Sequence, residues 1–195
     1  MIRSGTLADR QQIIEVLAEA FSDDPVMNWI CPHPDYVTSI FETMFDALAP
    51  ADRYFVDDAG LGATLWLPPG QDFNSPLDLK AMIRMLRYGL KANMRSLKSL
   101  RVMGALHPKS PPHYYLFAIG THSKARGRGI GSTLIQETLQ VCDREGIPAY
   151  LENSKEANLD FYQSHGFVAS EPVHVATGAP PLWPMWREPR PASQS

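Results

Sequence analysis

Along the chain, apolar positions recur at two periods, 3.6 and 2, and the switches between them mark out the elements. Ile13, Ile14, Leu17 and Phe21 fall at helical spacing behind Thr6-Leu-Ala-Asp9, a capping box in which each end residue satisfies the other's backbone. Ser22-Asp-Asp-Pro25 stops that helix. A second helix is predicted from Asp35 to Leu48, with Ile40, Phe41, Met44, Phe45 and Leu48 inward and Pro50 as its end. Met1 to Ser4, Arg53 to Val56 and Ala63 to Leu67 read as strands. The last two form a hairpin about Asp57-Asp-Ala-Gly60, closed by Pro68-Pro-Gly70. Ser75-Pro76 is an N-cap with a first-turn proline, opening a helical segment that breaks near Gly89 and ends by Gly104.

The second half is more regular. It reads strand (114–121), glycine loop, helix (130–144), strand (Pro148 to Glu152), helix (154–164) and strand (Phe167 to Val175). The last helix is framed by the box Asn153-Ser-Lys-Glu156 and by Gly166 as its stop. Trp183 to Arg187 adds a final strand. Strand–helix–strand alternation requires part of the sheet to be parallel.

Between strand 114–121 and helix 130–144 lies Arg126-Gly127-Arg128-Gly129-Ile130-Gly131-Ser132. Glycines at the mouth of a helix leave backbone N–H groups unscreened, and the helix dipole adds partial positive charge there. That is a seat for phosphates and implies a phosphate-bearing cofactor. A Walker loop needs Gly-Lys followed by Ser or Thr, which this run lacks. A dinucleotide fingerprint is a nearer rival, because Glu152 ends the next strand about twenty residues on. Its spacing is Gly-x-Gly-x-x-Gly, whereas this run has Gly-x-Gly-x-Gly with interleaved arginines, and only ~70 residues follow. A glycine-rich turn without a ligand is the third reading.

Composition narrows the class. Apolar residues make up 44 % and charged residues 20 % of 195, an ordinary globular balance. No apolar run approaches the roughly 18 residues of a membrane span. The start Met-Ile-Arg-Ser-Gly-Thr lacks an apolar signal core, and its glycine comes too late for myristoylation. Cys31 and Cys142 form no metal or redox spacing, so no metal is expected and a reducing cytoplasm is the default location. A net charge of −3 argues against nucleic-acid binding. The mean hides an asymmetry: residues 76–106 carry seven Lys/Arg against one Asp, a local +6 that leaves −9 for the rest. Lys80, Arg84, Arg87, Lys91, Arg95, Lys98 and Arg101 recur every three or four residues, as do Leu79, Met82, Ile83, Leu86, Leu90, Met94 and Leu97. A solvated charged face is the plain expectation. An acidic partner, a membrane surface, or a lid whose methionines adapt to a substrate are the alternatives.

The pattern Arg126-x-x-Gly129-x-Gly131, in that strand–helix–strand order and followed by Phe161-Tyr162-Gln-Ser-His-Gly166-Phe167, resembles the acetyl-CoA loop and the Tyr-x-x-x-Gly-Phe element of the GNAT N-acetyltransferase superfamily. Leu151-Glu152-Asn153-Ser154 with Asn158-Leu159-Asp160-Phe161-Tyr162 is similar to its puromycin N-acetyltransferase branch. So, more weakly, are Ala20-Phe21-Ser-Asp-Asp-Pro25 and Thr64-Leu-Trp-Leu-Pro68. The resemblance covers roughly residues 112 to 175. Positions 121–123 are Thr-His-Ser where relatives often have Val-x-Pro, and segment 76–106 has no counterpart in the pattern.

What the resemblance implies is an α/β (α+β) fold, a mixed twisted sheet flanked by helices, with a helical insertion at about 76–106. One N-acetyltransferase domain would span 1–188, with 189–195 a loose tail. Acetyl-CoA would lie with its pyrophosphate on the amides of Gly127, Arg128, Gly129, Ile130, Gly131 and Ser132, within reach of the Arg126 and Arg128 side chains. Its pantetheine would pair with the main chain at Ile119, Gly120 and Thr121, where the strand splays from its parallel neighbour. Gly120 in a strand independently suggests a bulge or the close approach of another chain. Tyr162 is the candidate proton donor to the leaving thiolate, with a core aromatic as its plain reading. Glu152 is the candidate base, with support of the Asn153 cap as the alternative. Asn158 is a candidate cofactor contact. Asp23 and Asp24 would bind an amine or form a solvated turn, while His113 and His122 read as structural or exposed.

The expected activity is acetyl transfer from acetyl-CoA to the primary amine of a small molecule, by direct attack in a ternary complex. Acetylation of a protein N-terminus or lysine, and a CoA-sensing module without transfer, are the alternatives. Trp66, Trp183 and Trp186 suggest a partly aromatic acceptor pocket. The sequence allows a homodimer and does not require one.

Overall fold

The structure is a computed structural model that describes residues 1–48, 53–71 and 79–190. The Pro50 stop, the Ser75-Pro76 cap and most of the expected tail lie outside those residues. The first turn forms as its spacing predicts. The Asp9 carboxylate accepts the Thr6 amide (2.7 Å) and hydroxyl (2.9 Å), and Arg3 holds both of its oxygens (2.6 and 2.9 Å). A 3₁₀ turn (Leu7–Asp9) then leads into α1 (Arg10–Ala20), followed by α2 (Pro25–Ile30) and α3 (Tyr36–Leu48).

After β1 (Ile2–Ser4), the hairpin β2 (Tyr54–Asp57) and β3 (Gly62–Leu67) leads to helices α4 (Leu79–Leu86) and α5 (Gly89–Leu106). The second half gives β4 (Tyr114–Thr121), α6 (Ile130–Glu145), β5 (Ala149–Asn153), α7 (Leu159–Ser164), β6 (Val168–Ala169), β7 (Val173–His174) and β8 (Pro181–Arg187). The strands form one mixed sheet in the order β1-β2-β3-β4-β5-β8-β6, with β7 also on β8. The single parallel pairing among the described strands is β4 with β5.

Alternation sorts the side chains to two faces. Tyr54, Val56, Ala63, Leu65 and Tyr115 pack under α1 and α3, against Ile13, Leu17, Phe41 and Phe45. Trp66, Tyr114 and Leu116 pack on the other face with Ile135, Leu139 and Cys142 of α6. The alternation breaks once. Leu65 pairs with Ala118 but Trp66 pairs with Leu116, so Phe117 is an extra residue in β4. Phe117 and Ala118 consequently belong to the same face. Such a bulge bends its strand. β4 meets β5 only at Tyr114 and Tyr115, and beyond the bulge the two strands part.

Four expectations need correction. Of the two readings of Gly120 the bulge is displaced to Phe117, and the glycine answers to the other, a close approach: a Cβ there would lie 2.7 Å from Cβ of Ala20 and 3.1 Å from Leu17. Gly120 is what lets α1 close onto β4. Gly120→Ala should therefore lower stability by about 1–3 kcal/mol, the usual penalty for an overpacked contact, read from urea unfolding. An unchanged midpoint would show that α1 yields freely.

Asn153-Ser-Lys-Glu156 forms no capping box. Asn153 ends β5 and its amide clasps Lys155 (2.9 and 3.2 Å), and a 3₁₀ turn (Glu156–Asn158) precedes α7. The long strand expected over Phe167 to Val175 is two short pieces flanking Glu171-Pro172, because proline cannot donate to a ladder. Finally, the charged face of α4 and α5 is solvated only in part: Arg87, Lys91, Lys98 and Arg101 are exposed, whereas Arg84 and Arg95 are half-buried. Arg84 reaches Thr43 (2.8 Å) and Glu42 (3.3 Å), Arg87 reaches Ser39 (2.7 Å), and Arg95 bonds the Trp29 carbonyl while lying 4.5 Å over its indole. Polar groups of α3 and the Trp29 carbonyl accept these donors, and the apolar residues divide: Met85, Ala92, Val102 and Met103 pack inward, while Met82, Ile83, Leu86, Leu90, Met94 and Leu97 are exposed. Among the described residues no helix is long and apolar enough to cross a membrane.

Candidate active site

The parting of β4 from β5 opens a small cleft of ≈ 70 Å³ lined by Asp24, Phe117, Ala118, Glu152, Ser154 and Tyr162, among others. Glu152 carries the most unusual chemistry here. Tyr115 donates its hydroxyl to Oε2 at 2.7 Å, and Oε1 is buried with no donor in hydrogen-bond geometry among the described residues. The Tyr150 hydroxyl also senses this carboxylate, but is directed at the Leu106 carbonyl (3.4 Å). Burial raises the Glu152 pKa to about 7, against the pull of its tyrosine donors. An anion here is poorly solvated, so a proton is held at a pH where exposed carboxylates have none.

On the loop side, the bend after β4 is made without proline. A 3₁₀ turn (Ser123–Ala125) is capped by His122, which accepts the Lys124 amide (3.3 Å), and Glu19 accepts the Ser123 amide (3.1 Å). Gly127 and Gly129 then take left-handed conformations, φ 75° and 78°. That conformation strongly favours glycine. The amides of Gly129, Ile130, Gly131 and Ser132 are the first four of α6 and have no intrahelical acceptor. The Arg128 amide differs from expectation: it is directed back at the Ala125 carbonyl (3.3 Å), as Arg126 is at Ser123.

His165 supports this turn from behind. Its Nδ1 receives the Gln136 amide (3.1 Å), which leaves the ring proton on Nε2 to donate to the Ser132 hydroxyl (3.2 Å). Burial, with Arg187 and Arg190 nearby, lowers the His165 pKa and favours that neutral form. A trench of ≈ 330 Å³ starts at Arg126 and Gly131, passes Ile119, Gly120, Thr121 and Asn158, and reaches Tyr162. Gly127, Arg128 and Gly129 are exposed in the adjoining loop. Tyr162 lines both trench and cleft; burial, then the nearby Asp24 carboxylate, raises its pKa well above the ordinary phenol value. Its hydroxyl has no protein hydrogen-bond partner among the described residues.

Across the sheet lies a larger cavity of ≈ 700 Å³, walled by Met44, Leu67, Leu100, Met103, Tyr115, Phe117, His107 and His113. Glu152 lines it as well as the cleft, and is the one carboxylate among its described lining residues. His113 sits 3.1 Å from His107, Nε2 to Nε2, with its Nδ1 on the Pro111 carbonyl (2.9 Å). A carbonyl only accepts, so Nδ1 carries the proton and His107 donates across the pair.

The structure thus brings Glu152, Tyr162, Ile119, Gly120, Thr121, Asn158 and the glycine loop around one continuous path. Asp23 and Asp24 line the cleft too, but each is already engaged by another partner. Asp23 pairs with Lys155 in an exposed position. Asp24 is buried as the N-cap of α2, accepting the Met27 amide (2.8 Å) and the Ser154 hydroxyl. None of the three tryptophans lines the large cavity; Trp66 is core, and the aromatic walls come from Tyr115, Phe117 and the two histidines. His107, Met103 and Leu100 were not singled out from the sequence, because nothing in their spacing distinguishes a cavity wall from a helix face.

A sheet that parts at its described parallel pair, with an amide-lined helix start at one end of the gap and a buried carboxylate at the other, suits a transferase whose donor carries a phosphate-bearing arm. The sequence profile of the acetyltransferase (GNAT) family matches residues 94–167. The chain is 28 % identical over 204 residues to an uncharacterised N-acetyltransferase of Schizosaccharomyces pombe, covering 96 % of this chain and 83 % of that one. A Corynebacterium glutamicum protein described as histone acetyltransferase HPA2 and related acetyltransferase superposes with a TM-score of 0.73 at 27 % identity, covering 99 % and 98 % of the two chains. Arylalkylamine N-acetyltransferase 2 from Aedes aegypti shares the fold at 13 % identity, with a TM-score of 0.68 over 97 % and 99 %. Residues 94–167 thus match the GNAT acetyltransferase family, and over nearly its whole length the chain is similar to proteins named as acetyltransferases.

Proposed function

We propose that the chain, as one catalytic domain over residues 1–188, moves acetyl from acetyl-CoA to the primary amine of a small molecule with an apolar or aromatic body and a single positive charge. The observation that carries this is Glu152, a carboxylate raised to about 7 by burial and placed where the acceptor cavity meets the strand cleft. An ammonium entering from the cavity meets a buried oxygen, Oε1, that no donor among the described residues satisfies. A second or third cation on the acceptor would find no further carboxylate among the described walls, which is why the reading favours monocations.

The residues at the other end suit the donor. Four unpaired amides at the start of α6 fit a pyrophosphate, and the edge of β4 beyond Tyr115 is unpaired by β5, leaving Ile119, Gly120 and Thr121 to pair with the amides of a pantetheine arm. Bound there, acetyl-CoA supplies an activated carbonyl; the chain's residues do the rest. Glu152 takes a proton from the ammonium so that the neutral amine attacks directly. Main-chain amides of β4 face the charge that develops on the carbonyl oxygen. Tyr162 donates a hydrogen bond to the departing sulfur, and Asn158 lines the same path.

Incubating the protein with acetyl-CoA and a panel of amines, while following free thiol, tests the proposal. Arylalkyl and alkyl monoamines should turn over at least tenfold faster than polyamines or peptide amines. Preference for a peptide amine would replace the proposal with protein acetylation. Calorimetric binding of CoA without turnover of any amine would indicate a sensing module.

A further inference from the structure

Helices α4 and α5 present Met82, Ile83, Leu86, Leu90, Met94 and Leu97 outward, each 47–77 % exposed. Contiguous apolar surface of this kind marks an interaction site more often than a face that meets only water. Arg84 and Arg95 fold inward onto α3 and α2, while Lys91 and Lys98 stay exposed beside Leu90 and Met94, with Arg87 and Arg101 also exposed. No residue from 79 to 106 is acidic. Leu90, Lys91, Met94 and Lys98 also border, with Trp29, Arg95 and Ala176, an open groove of ≈ 520 Å³ that mixes apolar side chains with cationic ones.

We propose that this face docks the protein on an anionic lipid surface. Leucine and methionine side chains enter the acyl boundary, Lys91 and Lys98 meet headgroup phosphates, and the groove beside Trp29 receives an apolar chain. Charge decides between occupants. A second copy across a two-fold axis would bring Lys91 and Lys98 toward their own counterparts, with no acid in the segment to neutralise them. A protein partner is disfavoured by the makeup of the ridge, which is Leu, Ile and Met without the exposed aromatics that anchor most protein interfaces. A fluid bilayer needs no shape match. The rest of the chain, at −9 against +6 for residues 76–106, orients this face toward negative surfaces. The same α5 lends Leu100 and Met103 to the acceptor cavity, so docking face and acceptor site share one helix.

Co-sedimentation of the full chain with vesicles tests this. Vesicles of phosphatidylcholine containing one third phosphatidylglycerol should bind about tenfold or more tightly than phosphatidylcholine alone, and salt should weaken the binding. The double variants Leu90→Glu/Met94→Glu and Lys91→Glu/Lys98→Glu should each lose that gain, while keeping the parent's melting temperature and its vesicle-free acetyl transfer. Equal binding to both vesicle types overturns the proposal, as do variants that bind like the parent. A concentration-dependent dimer in sedimentation velocity that Leu90→Glu/Met94→Glu splits would assign the face to a second copy. Capture of an acidic amphipathic peptide without vesicle binding would assign it to a protein. Because the lysine pair changes no apolar contact, it stays informative if the Leu90/Met94 variant is poorly folded.

Discussion

Glu152→Gln should reduce kcat for acetyl transfer by about 10²–10⁴-fold, the range for loss of a positioned general base, and should remove the acid limb of the pH–rate profile. The limb arises because burial lifts the carboxyl to about 7. Below that pH the group carries a proton and cannot take one from the ammonium; above it the carboxylate is available. In the parent, kcat/KM should therefore climb about tenfold per pH unit up to neutrality and then level off. Glutamine keeps the shape and can still accept from Tyr115, so the tyrosine contact survives while the basicity does not.

Stability supplies the control. A carboxyl whose folded pKa lies above its unfolded one stabilises the fold fully below the unfolded value, and that contribution is lost as pH rises through about 7. The amide that Glu152→Gln introduces is neutral at every pH, so urea unfolding should find the variant gaining on the parent between pH 6 and pH 8.5. A variant that kept the acid limb, or was weakened equally at both pH values, would remove Glu152 from the base role.

The sequence exposed those parts of the fold that depend on local chemistry. Thr6 with Asp9, and the glycines at 127, 129 and 166, are forced by termini and left-handed turns, and such constraints are readable a few residues at a time. Asp24-Pro25 carried the same N-cap signature as Ser75-Pro76, yet it reads equally well as a helix stop, and only the burial of Asp24 decides that it opens α2. Long-range packing was the harder part. Gly120 signalled a close approach, but the partner is Ala20, a hundred residues earlier, and the bulge at Phe117 leaves no mark because any residue can be the extra one. The arginines of α4 and α5 mislead a pattern reading for a related reason. Ser39, Glu42 and Thr43 on α3 offer acceptors, and periodicity alone does not say which of two faces is turned in. Glu152 was legible as a candidate base but not as a carboxyl titrating near neutrality, since the shift comes from burial, which outweighs the opposite pull of Tyr115 and Tyr150.

Tyr162→Phe should lower kcat by about 10²–10³-fold, the loss expected for one preorganised donor to developing charge, and leave CoA affinity within about twofold. The size follows from proton affinities. An ordinary phenol ionises near 10 and a thiol near 8.5, and burial together with the Asp24 carboxylate raises Tyr162 further. Complete transfer of the phenolic proton to sulfur is therefore uphill, and the residue acts by hydrogen-bonding to the charge as the bond to sulfur breaks. The ring should not move on substitution, because it is wedged between Phe161 and Phe167, with centroids 5.1 and 6.1 Å away. The acid limb near 7 belongs to Glu152, so it should persist in Tyr162→Phe and vanish only in Glu152→Gln. Rate–pH profiles of the two single variants and the double variant separate the roles: action on different bonds predicts a double variant slowed by close to the product of the two factors. A Tyr162→Phe enzyme that binds CoA tenfold more weakly at unchanged kcat would instead make Tyr162 a wall of the cofactor trench, and the sulfur would then depart without help from this side chain.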